Sequence, residues 1–266
     1  MQDDKMREME VIRWYKKPDV RECSLLAAWP GIGSVSLIIA NYVRDELGAD
    51  EIGELVPEAF FDPVGVDVKK NVIGLARVPQ SRFYYWPNPL GKDLLLFISE
   101  AQPEMKAYEL ANVLLDLAPE WNITRVYTCA AAMTQIHYAE ESKVWGVATS
   151  GRLLTALKRC GAVMQGDLYI AGLNGLLLGA AKERGIRGVC LLGEVPAYST
   201  RVPNPKAALA VLRVLARVLR LDIGLDRLAE LTKETEEETK KLAGEAIGEY
   251  IRTFTKPLFP EDEDKN

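Results

Sequence analysis

Short apolar runs alternate with stretches of helical spacing along most of the chain, which is the pattern of an α/β protein. Residues 22–29 form an apolar run that stops at Pro30-Gly31-Ile32-Gly33, and residues 34–47 then carry apolar positions at helical spacing. The reading is strand, glycine loop, helix. Residues 50–56 predict a second strand. The proline- and aromatic-rich stretch 57–89 predicts small strands and loops beside the main sheet, including Ser81-Arg82-Phe83-Tyr84-Tyr85-Trp86. Leu94-Leu95-Leu96-Phe97-Ile98 is apolar without alternation, as in strands buried on both faces. Residues 92–100 therefore predict a core strand ending at Ser99-Glu100. Further strands are predicted at 125–130, 144–148, 164–170 and 188–193, with helices at 106–117, 151–160 and 173–184. The expected architecture is a sheet of mostly parallel strands with helices on both faces.

After Pro205 the pattern changes to two helices, 206–221 and 225–251, with no strand between them. Lys206, Ala210, Arg213, Arg217 and Arg220 form a polar stripe on the first, opposite a Leu and Val face. Leu228, Leu231, Thr235, Glu238, Leu242 and Ala246 mark a seam on the second that is weakly apolar in its middle. That helix is either a solvated charged helix held by its own i,i+4 pairs or a cover for the arginine stripe or a neighbouring subunit. The expected division is one α/β domain over 1–221, a charged helix over 222–256, and a disordered acidic tail over 257–266.

Composition adds limits. Of 266 residues, 48% are hydrophobic and 27% charged, enough for a sizeable core without disulfides or metal. Residues 226–266 carry 12 acids and 7 bases, so the chain up to 225, with 26 of each, is neutral. A neutral body has no general attraction for phosphate backbones, which argues against a nucleic-acid partner. Cys23, Cys129, Cys160 and Cys190 lie 106, 31 and 30 residues apart, with no CxxC. They read as small buried hydrophobes in a reducing compartment rather than a disulfide framework or zinc site. The polar start MQDDKMREMEV lacks a signal-peptide core, and no apolar run approaches the ~20 residues of a membrane span. A cytoplasmic protein is expected.

The candidate chemistry is sparse. His137 is the one histidine, so any Ser/His/Asp or Cys/His mechanism would have to be built on it; a structural role is the expectation. HExxH does not occur, and no metal or cofactor is expected. The sharpest local signal is the loop Gly31-Ile32-Gly33-Ser34, where a strand enters a helix and backbone N–H groups could face an anion. It departs from the dinucleotide fingerprint, with Ser36 where the third small residue should be Gly or Ala and no ribose-binding acid at the following strand end, and GxxxxGK[ST] is absent. A tight turn required only by packing is the plainer alternative. A second glycine-rich helix start is Ala171-Gly172-Leu173-Asn174-Gly175, and Gly193-Glu194 ends the last strand. Ser34, Glu100, Asn174 and Glu194 could line one crevice at the carboxyl ends of the strands, where open α/β sheets bind ligands.

Taken in order, Trp29-Pro30-Gly31-Ile32-Gly33, Gly172-Leu173-Asn174-Gly175-Leu176-Leu177, Leu191-Leu192-Gly193-Glu194-Val195-Pro196-Ala197-Tyr198 and Pro203-Asn204-Pro205-Lys206-Ala207-Ala208 resemble the proteasome assembly chaperone 2 (PAC2) family. The resemblance covers roughly residues 25–237. It implies a three-layer α/β fold similar to the purine nucleoside phosphorylase type, with a mixed sheet, in a protein that self-associates. It further implies a non-enzymatic role in binding proteasome α subunits, often through a C-terminal hydrophobic-Tyr-any tripeptide. This sequence ends Asp264-Lys265-Asn266, so only the fold-level part of that role carries over. The leading expectation is a homo-oligomeric interaction protein. The alternative is a site for a nucleoside-like or phosphate-bearing molecule, bound by Gly31, Gly33, Ser34, Asn174, Gly175 and Glu194, with Gly31 and Gly33 cradling the anion and Glu194 accepting hydroxyl hydrogens.

Overall fold

The computed structural model describes residues 11–255; the acidic tail expected at 257–266 lies outside them. In chain order the elements are β1 (Ile12–Trp14), β2 (Cys23–Ala28), α1 (Val35–Leu47), β3 (Asp50–Leu55), β4 (Gly65–Lys69), β5 (Val72–Arg77), β6 (Ser81–Trp86) and β7 (Asp93–Ser99). They continue with α2 (Ala107–Asp116), β8 (Ile123–Thr134), β9 (Val144–Ala148), α3 (Gly151–Arg159), α4 (Gly172–Glu183), β10 (Arg187–Pro196), α5 (Pro205–Leu219) and α6 (Asp226–Thr255). Eight strands form one sheet in the order β1-β3-β6-β7-β2-β8-β10-β9, and β4 with β5 makes a separate two-stranded sheet.

The sheet is mixed, not mostly parallel as its alternating pattern predicts. Only three pairings, β7 with β2, β2 with β8 and β8 with β10, are parallel, and the four outer ones are antiparallel. Connection length is the reason. A parallel pair needs a crossover of about a dozen residues or more, whereas β6 reaches β7 through residues 87–92 alone. The segment 81–86 is accordingly a full member of the main sheet rather than a piece beside it. The strand expected at 164–170 does not form: the chain makes one bridge, Val163 to Trp145, and Gly166 at φ 83° then turns it into an exposed loop.

The parallel centre is apolar on both faces, which is why its strands read as unbroken hydrophobic runs. Leu26, Leu96, Tyr127 and Leu191 point into one core with α1, α3 and α5. Leu25, Leu95, Phe97 and Val126 point into the other with α2 and α4. The aromatic run of β6 belongs to these cores: Phe83 is fully buried, its ring 4.9 Å from both Trp14 and Phe97. Cys23, Cys129 and Cys190 are buried and free, and burial pushes the Cys23 thiol up to about 12.

The α5 stripe is covered at one end only. Leu228 of α6 is buried in the α5 core, Lys206 pairs with Glu236 at 3.2 Å, and Arg227 pairs with Glu46 of α1 at 3.0 Å. Arg213, Arg217 and Arg220 remain exposed, and Leu231 is 41% exposed. The side chains of Glu238, Leu242 and Ala246 from the expected seam lie outside those described.

Candidate functional site

The first glycine loop leaves β2 at the carboxyl end of the sheet. Gly33 and Ser34 both take left-handed backbone, at φ 60° and 51°, a region that favours glycine. A Cβ on the buried Gly33 would lie 3.0 Å from the Cβ of Asn204. The reason is that the start of α5 is clamped onto this loop. Asn204 caps α5 by accepting from the Ala207 N–H (2.9 Å), and its own N–H donates to the Gly33 carbonyl (2.7 Å). The Gly33 N–H donates to the Thr200 carbonyl (3.1 Å), and the Ser34 N–H to the Gly31 carbonyl (3.0 Å). Two of the N–H groups expected to face an anion are thus engaged within the protein, while Gly31 stands in open space.

The second glycine-rich helix start is joined to the first by a residue that sequence reasoning missed. Gln102, just beyond β7, donates through Nε2 to the Pro30 carbonyl (2.8 Å) and accepts at Oε1 from the Leu173 N–H (3.1 Å). Nothing in periodicity or motif marks Gln102; its role exists only because the sheet order sets β7 beside β2. Gly175 is held by packing, since a Cβ there would lie 2.1 Å from the Ile170 carbonyl oxygen. Asn174 is half-buried, and its Oδ1 is buried with no hydrogen-bond partner among the described residues.

The two carboxylates expected in the crevice are turned to other partners. Glu194 accepts from the Trp145 indole N–H at Oε1 (3.1 Å) and from the Lys143 N–H at Oε2 (3.2 Å), facing β9. Glu100 accepts from the Gln80 N–H at Oε2 (3.1 Å), facing the start of β6. His137 is exposed and stacks on Tyr138 with ring centroids 4.3 Å apart, and its Nδ1 accepts from the Ala139 N–H. It lines a recess of about 20 Å³ with Glu194, Lys206 and Glu236, room for about one water. Nearby, burial raises the Tyr198 phenol, against a hydrogen bond from the Tyr138 N–H. Among the described residues no group of three or more His, Cys, Asp or Glu is placed to hold a metal ion, and no helix is long and apolar enough to cross a membrane.

The clearest unsatisfied surface is the β4–β5 hairpin. Lys70 and Asn71 at φ 49° and 63° make the kind of turn that joins tight hairpins. Every residue of both strands is exposed, including Val66, Val68, Val72, Ile73 and Leu75, the last at 92%. Val64, just before β4, is also exposed. The proline- and aromatic-rich composition of 57–89 gives no sign that the hairpin stands clear of the body, because exposure on both faces depends on what lies around it.

The four ordered sequence pieces therefore meet in space through backbone and small residues. The α5 cap packs on the first glycine loop, Gln102 bridges that loop to α4, and Gly193 lets β10 approach α5, a Cβ there falling 2.9 Å from the Ala207 carbonyl. This constellation is a mixed-sheet α/β scaffold with close-packed glycine junctions. The chain belongs to the PAC2 family, whose model matches residues 25–243. It is 30% identical over 219 residues to an uncharacterised protein of Methanocaldococcus jannaschii, covering 82% of each chain. It is similar to the crystal structure of Pyrococcus furiosus PbaB, an archaeal proteasome activator, with TM-score 0.73 and 29% identity over 87% of this chain and 98% of that one. It also matches P. furiosus PbaA, an archaeal homologue of proteasome-assembly chaperone, at TM-score 0.68 and 23% identity over 92% and 96% of the two chains.

Proposed function

We propose that this chain is a non-enzymatic, proteasome-assembly-chaperone-like interaction module of the cytosol, which associates with itself and takes proteasome-type subunits as partners. Two structural relatives, an archaeal proteasome activator and an archaeal homologue of proteasome-assembly chaperone, support the partner class. The observation that carries the reading is the hairpin. An isolated two-stranded ribbon is marginally stable in water, and this one exposes a run of Val, Ile and Leu with both edges unpaired among the described residues. Such an edge is a template for another strand. The same hairpin of a second copy supplies one by twofold pairing.

The reading includes the finer expectations of a three-layer arrangement of the purine nucleoside phosphorylase type and an α/β domain over 1–221 with the 222–256 helix laid on it. The two helical layers and buried Leu228 support them. A second reading, a nucleoside-like or phosphate-bearing ligand at Gly31, Gly33, Ser34, Asn174, Gly175 and Glu194, has the unpartnered Asn174 Oδ1 in its favour. It ranks second because Glu194 and the Gly33 N–H already have partners.

Sedimentation of the full chain tests the self-association. The wild type is expected to be oligomeric, and Val68→Glu with Leu75→Glu to weaken association by about a hundredfold or more. Both side chains are exposed, so unfolding midpoints should stay within the small change typical of surface substitutions, about 0.5 kcal/mol. A monomeric wild type, or an oligomer indifferent to both charges, contradicts this assignment.

A further inference from the structure

The opposite ends of the same strands hold a second feature. Where β2, β7 and β8 begin, a cleft of about 490 Å³ opens, within the size range of small-molecule sites. Its lining includes four cations, Arg21, Lys92, Arg125 and Arg220, and a single carboxylate, Glu22. Two of the cations are committed. Arg21 pairs with the buried Asp93 (Nη2 to Oδ1, 2.7 Å), and Lys92 with Glu22 (2.6 Å) and the Thr124 hydroxyl (2.6 Å).

The other two are not. Among the described residues, Arg125 donates only to the Tyr127 hydroxyl, at 3.4 Å, and its buried Nε has no hydrogen-bond partner. Arg220 ends α5 in left-handed backbone at φ 57° and is exposed, with no ion pair among the described residues. Arg187, at the start of β10, adds its field. The Lys92 hydrogen bond first, then the charges of Lys92, Arg187 and Arg125, hold Glu22 below the usual carboxylate range against the opposing effect of burial. Uncompensated positive charge therefore gathers here in a chain that is neutral through residue 225.

A buried guanidinium nitrogen without an acceptor is costly unless a ligand supplies one. Planar guanidinium forks match the oxygens of a phosphate group, and a phosphate can accept from two at once. Val218 and Leu219 give the cleft an apolar wall for the rest of such a molecule. We propose that this cleft binds a small phosphorylated molecule, its phosphate held by the guanidinium groups of Arg125 and Arg220. The site is independent of the hairpin and of the glycine loops.

The test is calorimetric titration of the full chain with inorganic pyrophosphate at fixed ionic strength, repeated with Arg220→Ala and Arg125→Met. The expected result is saturable binding of one pyrophosphate per chain, weakened about tenfold or more by either substitution, since hydrogen bonds to charged groups are among the stronger ones. Arg220 is exposed, so its variant carries the test even where Arg125→Met fails to fold. Heat no greater than that of sodium chloride at matched ionic strength would overturn the proposal, as would binding that Arg220→Ala leaves unchanged. An acidic Glu-Asp-Glu-Asp peptide that binds tighter than pyrophosphate would overturn it in favour of a peptide site.

Discussion

Gly175→Ala is expected to lower the unfolding free energy by roughly 3 kcal/mol or more, at the upper end of the overpacking range. The added methyl would sit 2.1 Å from the Ile170 carbonyl oxygen, and that neighbour is backbone, so it cannot rotate aside as a side chain would. Gly179, one turn later on α4, is exposed and has nothing within 4 Å of an added Cβ. Gly179→Ala is expected to stabilise by up to about 1 kcal/mol, through helix propensity alone. Urea midpoints of the two variants separate the cases; equal midpoints would show that the close approach at Gly175 does not matter. The pair also bears on function, because a packing requirement of this size accounts for Gly175 with no ligand present.

Asp93→Ala is expected to cost about 3 kcal/mol, because it strands donors inside the protein. The carboxylate is 1% exposed and accepts from the Tyr85 hydroxyl (2.7 Å), the Arg21 N–H (3.1 Å), the Asn88 N–H (3.2 Å) and the Arg21 guanidinium (2.7 Å). Burial alone would raise its pKa, but Arg21, Tyr85 and the two backbone N–H groups outweigh that and hold it below the usual value of 3.8. A depressed carboxylate stabilises the fold above its unfolded pKa and loses that contribution as pH falls. The wild type should therefore lose stability below about pH 4 partly through Asp93, and the variant should show a flatter acid limb. Tyr85 acts at the other extreme: burial first, then the hydrogen bond to Asp93, push its phenol upward. Its contribution is present below pH 10 and lost as pH rises beyond it, and Tyr85→Phe should remove that alkaline loss. Unchanged acid and alkaline limbs in the two variants would contradict this network.

How much of this was legible depended on how local each signal is. The β2 loop was readable because its turn is written in Gly31 and Gly33, and the core of β7 because five apolar residues in a row require burial on both faces. The direction of the outer strands was not read, although the short span 87–92 already forbids a parallel β6 and β7. The run 164–170 looked like a strand by composition, but Gly166 breaks it and only Val163 finds a partner at the β9 side. Within the expected crevice, the hydrogen bonds of Glu194 to Trp145 and Lys143 and of Glu100 to Gln80 were not legible, because spacing along the chain does not say which neighbour a carboxylate meets. Gln102 and the basic cleft were invisible for the same physical reason: their partners lie on strands distant in sequence and adjacent only in the sheet.

The proposed binding of proteasome-type subunits through protein surface, rather than action on a small substrate, can be read from native mass spectrometry of the full chain mixed with proteasome α subunits. The expected result is a mass for a mixed complex of defined stoichiometry. Subunits and chain that remain separate, at concentrations where the chain's own oligomer is intact, would contradict it.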